Sequence, residues 1–360
     1  MLKDVCTINM GQSPASDSYN DEGEGVPFFQ GNADFGDRYP ITRKWCSAPT
    51  KMAMADDILI SVRAPIGAMN YAKEACCIGR GLAALTPNKT KVSPEFIFWC
   101  LKGKNHELNS KGTGSTFKAI GRKVLEETLI PNVPLEKQKK YSDILKKVYA
   151  IIQMHQHQLQ QLDFLVQSRF IELFGDMYLN SKGWPEAKLE SMADIVSGIT
   201  KGRKTRNEDL IEVPYMAVSN VKDGYIDWTT VKKIEATQQE IEQYRLLPDD
   251  VLMTEGGDPD KVGRGAIIKE PLENCIHQNH IFRVRLDESV MFPEFFEEYL
   301  QHQRSKCYFL RCAKQTTGIA SINMTQLRAL PVLIPPLAEQ AEFVSFKTET
   351  DKSKLILCLP

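Results

Sequence analysis

The sequence predicts an α/β (α+β) fold built twice, two related domains separated by long coiled-coil helices. Two observations predict it. Short blocks of sequence recur in the same order at a spacing of roughly two hundred residues, the mark of a tandem domain duplication rather than a solenoid. Between the copies runs Leu135–Phe174, forty residues with neither glycine nor proline. The expected outline is a dumbbell of pseudo-twofold character.

The first copy reads as mixed strand and helix. Residues 4–8 suit a short strand, and 11–25 form a polar loop. VPFFQGN (26–32) and DDILISV (56–62) suit further strands. The run 63–85 is rich in glycine and small residues, as turns and close strand packing require. SPEFIFWCL (93–101) reads as an N-capped amphipathic helix with proline at its first position. The loop GTGSTFKAI (112–120) follows, and LIPNVPLEKQ (129–138) ends in prolines that stop a strand and lead into the long helix. After a linker at 175–185 the order returns. VPYMAVSN (213–220) answers VPFFQGN, and DDVLMTEGG (249–257) answers DDILISVRA. FPEFFEEYL (292–300) answers SPEFIFWCL, TTGIASINMTQL (316–327) answers GTGSTFKAIGRKVL, and LIPPLAEQ (333–340) answers LIPNVPLEKQ.

The helix between the copies carries a three-four seam: Tyr141, Leu145, Val148, Ile152, His155, Leu159, Leu162, Val166, Arg169 and Leu173. That spacing is a coiled-coil stripe, and at about 1.5 Å per residue the helix spans roughly 60 Å. His155 on the seam suits a register device better than a ligand.

Composition narrows the functional classes. The 360 residues suffice for two domains, with 42% hydrophobic and 25% charged residues and a formal charge of −1. Near-neutrality argues against a protein that coats nucleic acid without specificity, while leaving room for local basic patches. The first domain sums to roughly +2 and the second to roughly −3, so neither is a charged tail. No window approaches twenty apolar residues and no long apolar stretch follows Met1, so neither a membrane span nor a secretory signal is predicted and a cytoplasmic location is expected. Nine cysteines without a C-x-x-C suggest reduced thiols rather than a disulfide framework.

Catalytic signatures are missing. No G-x-x-x-x-G-K-[ST] loop cradles phosphate, and no F-x-G-x-G or N-P-P-Y motif marks a methyl-transfer site. His277 and His280 lie in an apparent strand whose alternation points them to opposite faces, with no partners at metal-ligand spacing. Asp176 with Glu186 and Lys188 imitates a nuclease pattern but straddles the linker. No metal site is expected. The positive signals are of the binding kind. Lys201, Arg203, Lys204 and Arg206 place four cations in six residues of a loop, suited to phosphate contact. Polar side chains recur at matching places in both copies. In the first they are Gln30, Asn32, Arg63, Arg80, Thr113, Ser115, Thr116 and Lys118; in the second, Asn220, Arg264, Gln278, Asn279, Thr316 and Thr317. Arginine offers paired donors to guanine, and asparagine or glutamine a donor and acceptor to adenine.

Two halves, each with DD-[IV]-L, a glycine-rich loop, P-E-F…L, a T-G-[SI] loop and a closing L-I-P…P-L-x-x-Q, resemble the specificity subunit of type I restriction-modification systems. RAPIG…CIGRGLAAL and GTGSTFKAI are similar to the target-recognition domains of that family. The resemblance implies two target-recognition domains, 1–133 and 181–335, each reading one half of a split double-stranded DNA target. It implies a spacer helix with linker at 134–180 that sets the gap, and a second spacer helix from 336 to 360. Its implied partners are two methyltransferase subunits and restriction subunits that translocate and cut. Those partners are expected to bring S-adenosylmethionine, ATP and Mg; this chain is expected to bind no cofactor and to catalyse nothing. Two alternatives remain. One is the recognition part of a split single-chain methyltransferase-nuclease, the other a coiled-coil scaffold without DNA specificity.

One departure stands out. Only twenty-five residues follow Pro335, and the apolar seam fades early in KTETDKSKLILCLP. The chain is therefore expected to be truncated or frame-shifted relative to the family. An antiparallel partner helix is expected to cover the seam only near 159–173. The half at 141–152 is then left for another protein, a methyltransferase subunit or a second copy of the chain.

Overall fold

The structure, a computed structural model, describes residues 1–114, 118–202, 209–258, 261–316 and 318–358. The chain divides into two compact units, Met1–Met154 and His155–Pro360. The division falls inside the long helix, so the expected separate spacer at 134–180 is shared between the units.

In the first unit an antiparallel sheet runs in the order Cys6–Met10, Leu82–Pro87, Ile58–Ser61, Met69–Tyr71. All four residues of Ile58–Ser61 are buried because both faces of the sheet are covered. Ile58 and Ile60 meet Phe96, Ile97 and Leu101 on one side. Leu59 meets Phe29 and Ile78 on the other. Phe29 and Ile78 belong to a second sheet, in which Val26–Phe29 pairs in parallel with Cys76–Ile78. Helices α1 (Pro94–Gly103), α2 (Asn105–Ser110) and α3 (Arg122–Glu126) follow, then α4 (Leu135–Phe174).

The second unit repeats the plan. Its sheet order is Ala193–Ser197, Ile281–Leu286, Asp250–Thr254, Gly265–Ile268. Ile211–Met216 again pairs in parallel with the strand Ile276–His277. Helix α5 (Gln238–Tyr244) is an addition, opened by a reciprocal cap between Thr237 and Glu240. Then come α6 (Pro293–Gln301), α7 (Gln303–Cys312), α8 (Met324–Arg328) and α9 (Leu337–Cys358).

The recurring blocks have physical roles. In each DD pair the first aspartate takes a left-handed turn, φ 69° at Asp56 and 68° at Asp249. The second is buried and accepts a backbone N–H, Met54 to Asp57 at 2.8 Å and Leu247 to Asp250 at 2.7 Å. Gly11 and Gly198 must be glycine, since a Cβ would fall 2.1 Å from the Gly79 carbonyl and 2.0 Å from that of His277. The glutamine of P-L-x-x-Q is a latch. Gln138 accepts the Ser93 N–H at 2.8 Å and donates to Val133 O at 2.7 Å. Gln340 accepts the Phe292 N–H at 3.0 Å and donates to Pro335 O at 2.8 Å. Both long helices are thereby tied to the turn that starts α1 or α6. Ser93 does stand at the N-cap of α1, but its side chain makes no cap bond; Gln138 binds its N–H instead.

Two expectations need correction. No strand forms at 129–133, because no partner strand faces it among the described residues; the second copy's Pro331–Leu333 pairs with Glu186–Lys188. The segment 175–185 is a folded turn, not a free linker. Gly175 ends α4 at φ +73°, Met177 is buried in the second core, and Trp184 Nε1 donates to Phe174 O at 3.0 Å.

Burial along α4 changes sharply. Tyr141, Leu145, Val148 and Ile152 are 44–48% exposed, and His155 is exposed. Leu159, Leu162, Arg169 and Leu173 are half-buried, while Val166, Phe170 and Phe174 are buried. Phe170 stacks on Phe295 at 5.4 Å and meets Phe343 of α9 edge-on at 5.2 Å. Such pairs add about 0.5–1.5 kcal/mol each to the burial itself. In the first unit the inward face of α4 is instead the buried Gln138 and Ser142 and the half-buried Tyr149, whose ring meets Trp99 at 5.4 Å.

Candidate DNA interface

The exposed polar residues of the first repeat gather on one rim. Backbone bonds link its loops in series. Gly81 N donates to Gln30 O at 3.1 Å, Val62 N to Gly81 O at 2.9 Å, and Ile120 N to Val62 O at 2.9 Å. Ala64 N donates to Lys118 O at 3.0 Å, and Thr113 and Ala119 exchange bonds at 3.0 and 2.9 Å. Arg63 bridges Ala119 as well. Gln30, Arg63, Arg80, Thr113 and Lys118 are all exposed on this connected frame, and Asn32 is half-buried beside it. Ser13, which the motifs did not flag, accepts the Arg80 N–H at 3.4 Å. Its only signal was membership of a polar loop.

The second repeat builds the same rim with different side chains. Ile199 N donates to His277 O at 2.8 Å, Asn279 N to Ile199 O at 3.1 Å, and Glu255 N to His280 O at 3.0 Å. Ile322 N closes the circuit on Glu255 O at 2.8 Å. Where the first repeat has two isolated bridges, the second has a small sheet in the order Gly256–Gly257, Ile319–Ser321, Lys314–Thr316. Lys201 is exposed beyond Ile199. Ser115, Thr116, Arg203, Lys204, Arg206 and Thr317 lie outside the described residues, and of Thr316 only the strand position is described.

Some candidates are structural. Asn220 is fully buried, accepting the Ala217 N–H at 2.9 Å and donating to Asp227 O at 2.8 Å and Thr230 Oγ1 at 3.3 Å. It shapes the turn after Ile211–Met216, as Asp34 does after Val26–Phe29 by accepting the Gln30 N–H at 2.7 Å. Its amide is fully used, so it reads no base. Gln278 is half-buried and its side chain accepts the Val218 N–H at 3.3 Å, supporting the same turn. Arg264 is half-buried at the rim, where its carbonyl accepts the Thr254 N–H at 3.2 Å.

The two histidines part company. His277 is buried, its Nδ1 3.1 Å from Tyr244 O and its Nε2 3.4 Å from Val196 O. Burial outweighs these acceptors and drives its pKa down to about 4. His280 is exposed on the rim and hydrogen-bonded through Nδ1 to Glu255. Among the described residues no group of histidine, cysteine, aspartate or glutamate could hold a metal ion. None of their helices is long and apolar enough to cross a membrane. What the rims offer is a set of donors and acceptors on a rigid frame.

Fold and rims define a duplicated α/β protein whose repeats present matching polar edges of unlike chemistry. The chain belongs to the family described as type I restriction modification DNA specificity domain, whose model matches residues 1–163 and 181–357. It is 46% identical over 156 residues to a putative type I restriction enzyme MjaX specificity subunit of Methanocaldococcus jannaschii, covering 43% of this chain and 37% of that one. It is 23% identical over 284 residues to the type I restriction enzyme EcoKI specificity subunit of Escherichia coli K12, covering 75% and 61%. The chain thus spans 37% and 61% of these two relatives, less than two thirds of either. The crystal structure of the type I restriction-modification S subunit from M. genitalium matches with a TM-score of 0.55 at 14% identity, covering 99% of this chain and 89% of that one, a likeness of fold.

Proposed function

We propose that this chain is the DNA sequence-recognition subunit of a type I restriction-modification complex, each repeat reading one half of a split double-stranded target through its rim. The observation that carries this reading is the pair of rims. Two corresponding backbone links, Val62 N–H to Gly81 O with Ile120 N–H to Val62 O and Glu255 N–H to His280 O with Ile322 N–H to Glu255 O, hold different side chains, Arg63 and Arg80 in the first repeat and Asn279, His280 and Glu255 in the second. Equal frames with unequal lettering suit two different half-sites. The reactions belong to partners: methyltransferase subunits supplying S-adenosylmethionine chemistry, and restriction subunits using ATP and Mg. This chain itself contributes binding and placement.

The test is to map methylated positions in DNA exposed to the chain together with its methyltransferase subunit. A split motif, methylated in both halves, is the expected result, and methylation without any motif would overturn the reading. Arg80→Ala should relax one position of one half by about ten- to a hundredfold, the effect of a base contact. Lys118→Ala should lower binding evenly at every sequence and make the salt slope shallower by about one, the effect of a phosphate contact.

A further inference from the structure

Glu255 and His280 are clamped together twice. The Glu255 N–H donates to the His280 carbonyl at 3.0 Å, and the His280 ring bonds the Glu255 carboxylate through Nδ1. Asn279 between them and the frame is fixed as well. Its N–H binds Ile199 O at 3.1 Å and its carbonyl accepts the Ser197 hydroxyl at 2.7 Å. Its Nδ2 lies 3.5 Å from His280 Nε2. The His280 side chain is 56% exposed and that of Glu255 33%.

The chemistry of this trio is directional. An ionised carboxylate only accepts, so in the neutral ring Nδ1 carries the hydrogen and Nε2 is an acceptor, its one lone pair meeting the Asn279 amide N–H at a long 3.5 Å. A carboxylate on a DNA-facing rim repels phosphate, so Glu255 works against affinity there. What it gains is a fixed ring. Arg80, two residues beyond Ile78, presents donors only; Asn279, two residues beyond His277, leads into a ring that accepts.

We propose that His280 is a base-discriminating residue of the second repeat, its Nε2 accepting from the amino group of adenine or cytosine in the major groove. Glu255 is a positioning residue that holds the tautomer, and the Asn279 amide, which meets the Nε2 lone pair in the free chain, gives way to the amino group of the base. The proposal rests on the reading of the rims as DNA-contacting surfaces.

The experiment maps the methylation motif of the full chain co-purified with its methyltransferase subunit, for wild type, His280→Ala and Glu255→Ala. His280→Ala should lose discrimination at one position of one half by about ten- to a hundredfold while the other half stays intact. Glu255→Ala should do something different at that same position. Freed from the carboxylate, the ring can carry its hydrogen on Nε2, so guanine or thymine becomes acceptable. Thermal unfolding of His280→Ala is expected to match wild type, since its side chain is exposed, and that of the half-buried Glu255→Ala to stay a single cooperative transition. An unchanged motif in both variants overturns the proposal, and so does an even loss of methylation with the motif intact. A wild-type complex without a motif overturns the DNA-reading function instead.

Discussion

Where the first repeat buries Ile78, the second buries His277. Its pKa is lowered from 6.5 to about 4, desolvation prevailing over the carbonyls of Tyr244 and Val196. The native ring is therefore neutral where the unfolded ring is already protonated. Between pH 6.5 and about 4 the unfolded chain holds more protons, so stability falls as pH falls, by up to about 3 kcal/mol from this group. His277→Ile, which copies the first repeat, should remove that acid limb. At neutral pH it should cost about 1–2 kcal/mol for the partner lost by the Tyr244 carbonyl. Urea unfolding at pH 7.5, 6 and 5 checks both, and parallel pH curves for variant and wild type would refute the assignment. The sequence could single out His277 but not place it, because a histidine in a strand reads alike whether buried or exposed. Asn220 shows the same limit: base-reader chemistry and turn-maker chemistry are one side chain, and only the partners of its amide separate them.

At the scale of elements, α9 shows what holds the second helix where its apolar seam fades. The helix runs to Cys358, and its inward face continues past Phe343 as Lys347, Thr350 and Lys354. The lysine stems cover apolar surface while their ammonium groups pair, Lys347 with Glu297 at 2.8 Å and Lys354 with Asp163 at 2.9 Å. Glu297 in turn accepts the Ile267 N–H at 2.9 Å, so the pair ties α9 to α6 and to the central sheet. Lys347, Glu297 and Glu298 are 12–14% exposed, which makes this a buried ion cluster. Lys347→Met should cost about 3–5 kcal/mol at neutral pH by leaving two carboxylates without a counter-charge. Burial raises the Glu298 pKa above its ordinary value, against the opposing charge of Lys347. The native state of the variant then takes up a proton before the unfolded state does, so the deficit should shrink as pH falls through the raised value. Chemical denaturation from pH 7.5 to 5 measures this, and a deficit that grows on acidification would show that the cluster is not the cause. The strands, by contrast, were legible in the sequence, because Ile58–Ser61 and Asp250–Thr254 are bounded by turns and filled by residues that must be buried on both faces.

For the whole molecule, the duplication was the most legible feature, since the DD turn, the Gly11 and Gly198 contacts and the Gln138 and Gln340 latches each demand a particular residue at a fixed place in each copy. The rims were legible only as residue types, because their circuits are backbone bonds that leave no mark on composition. The duplication also defines what the exposed part of the seam lacks. Aligned on the glutamine latches, Tyr141 of α4 corresponds to Phe343 of α9. Phe343 is fully buried under Phe170 and Phe174, whereas Tyr141 is 44% exposed. Leu145, Val148 and Ile152 extend the uncovered stripe. Lys137, Lys139, Lys140, Lys146 and Lys147 flank it, against Glu136 and Asp143 alone. A second copy laid along this stripe would set lysines against lysines, so the stripe suits an acidic amphipathic partner, a place the proposed function gives to the methyltransferase subunit. Leu145→Glu combined with Ile152→Glu should therefore weaken assembly with that subunit by at least about tenfold, since each apolar side chain is worth about 1.5–3 kcal/mol on full burial. The same double variant should unfold within about 0.5 kcal/mol of wild type for each change, because both positions are solvent-exposed in the chain alone. Sedimentation of the chain with and without the methyltransferase subunit reads the outcome. Unaltered assembly in the variant would move the docking surface elsewhere, and a wild-type dimer abolished by the variant would give the stripe to a second copy.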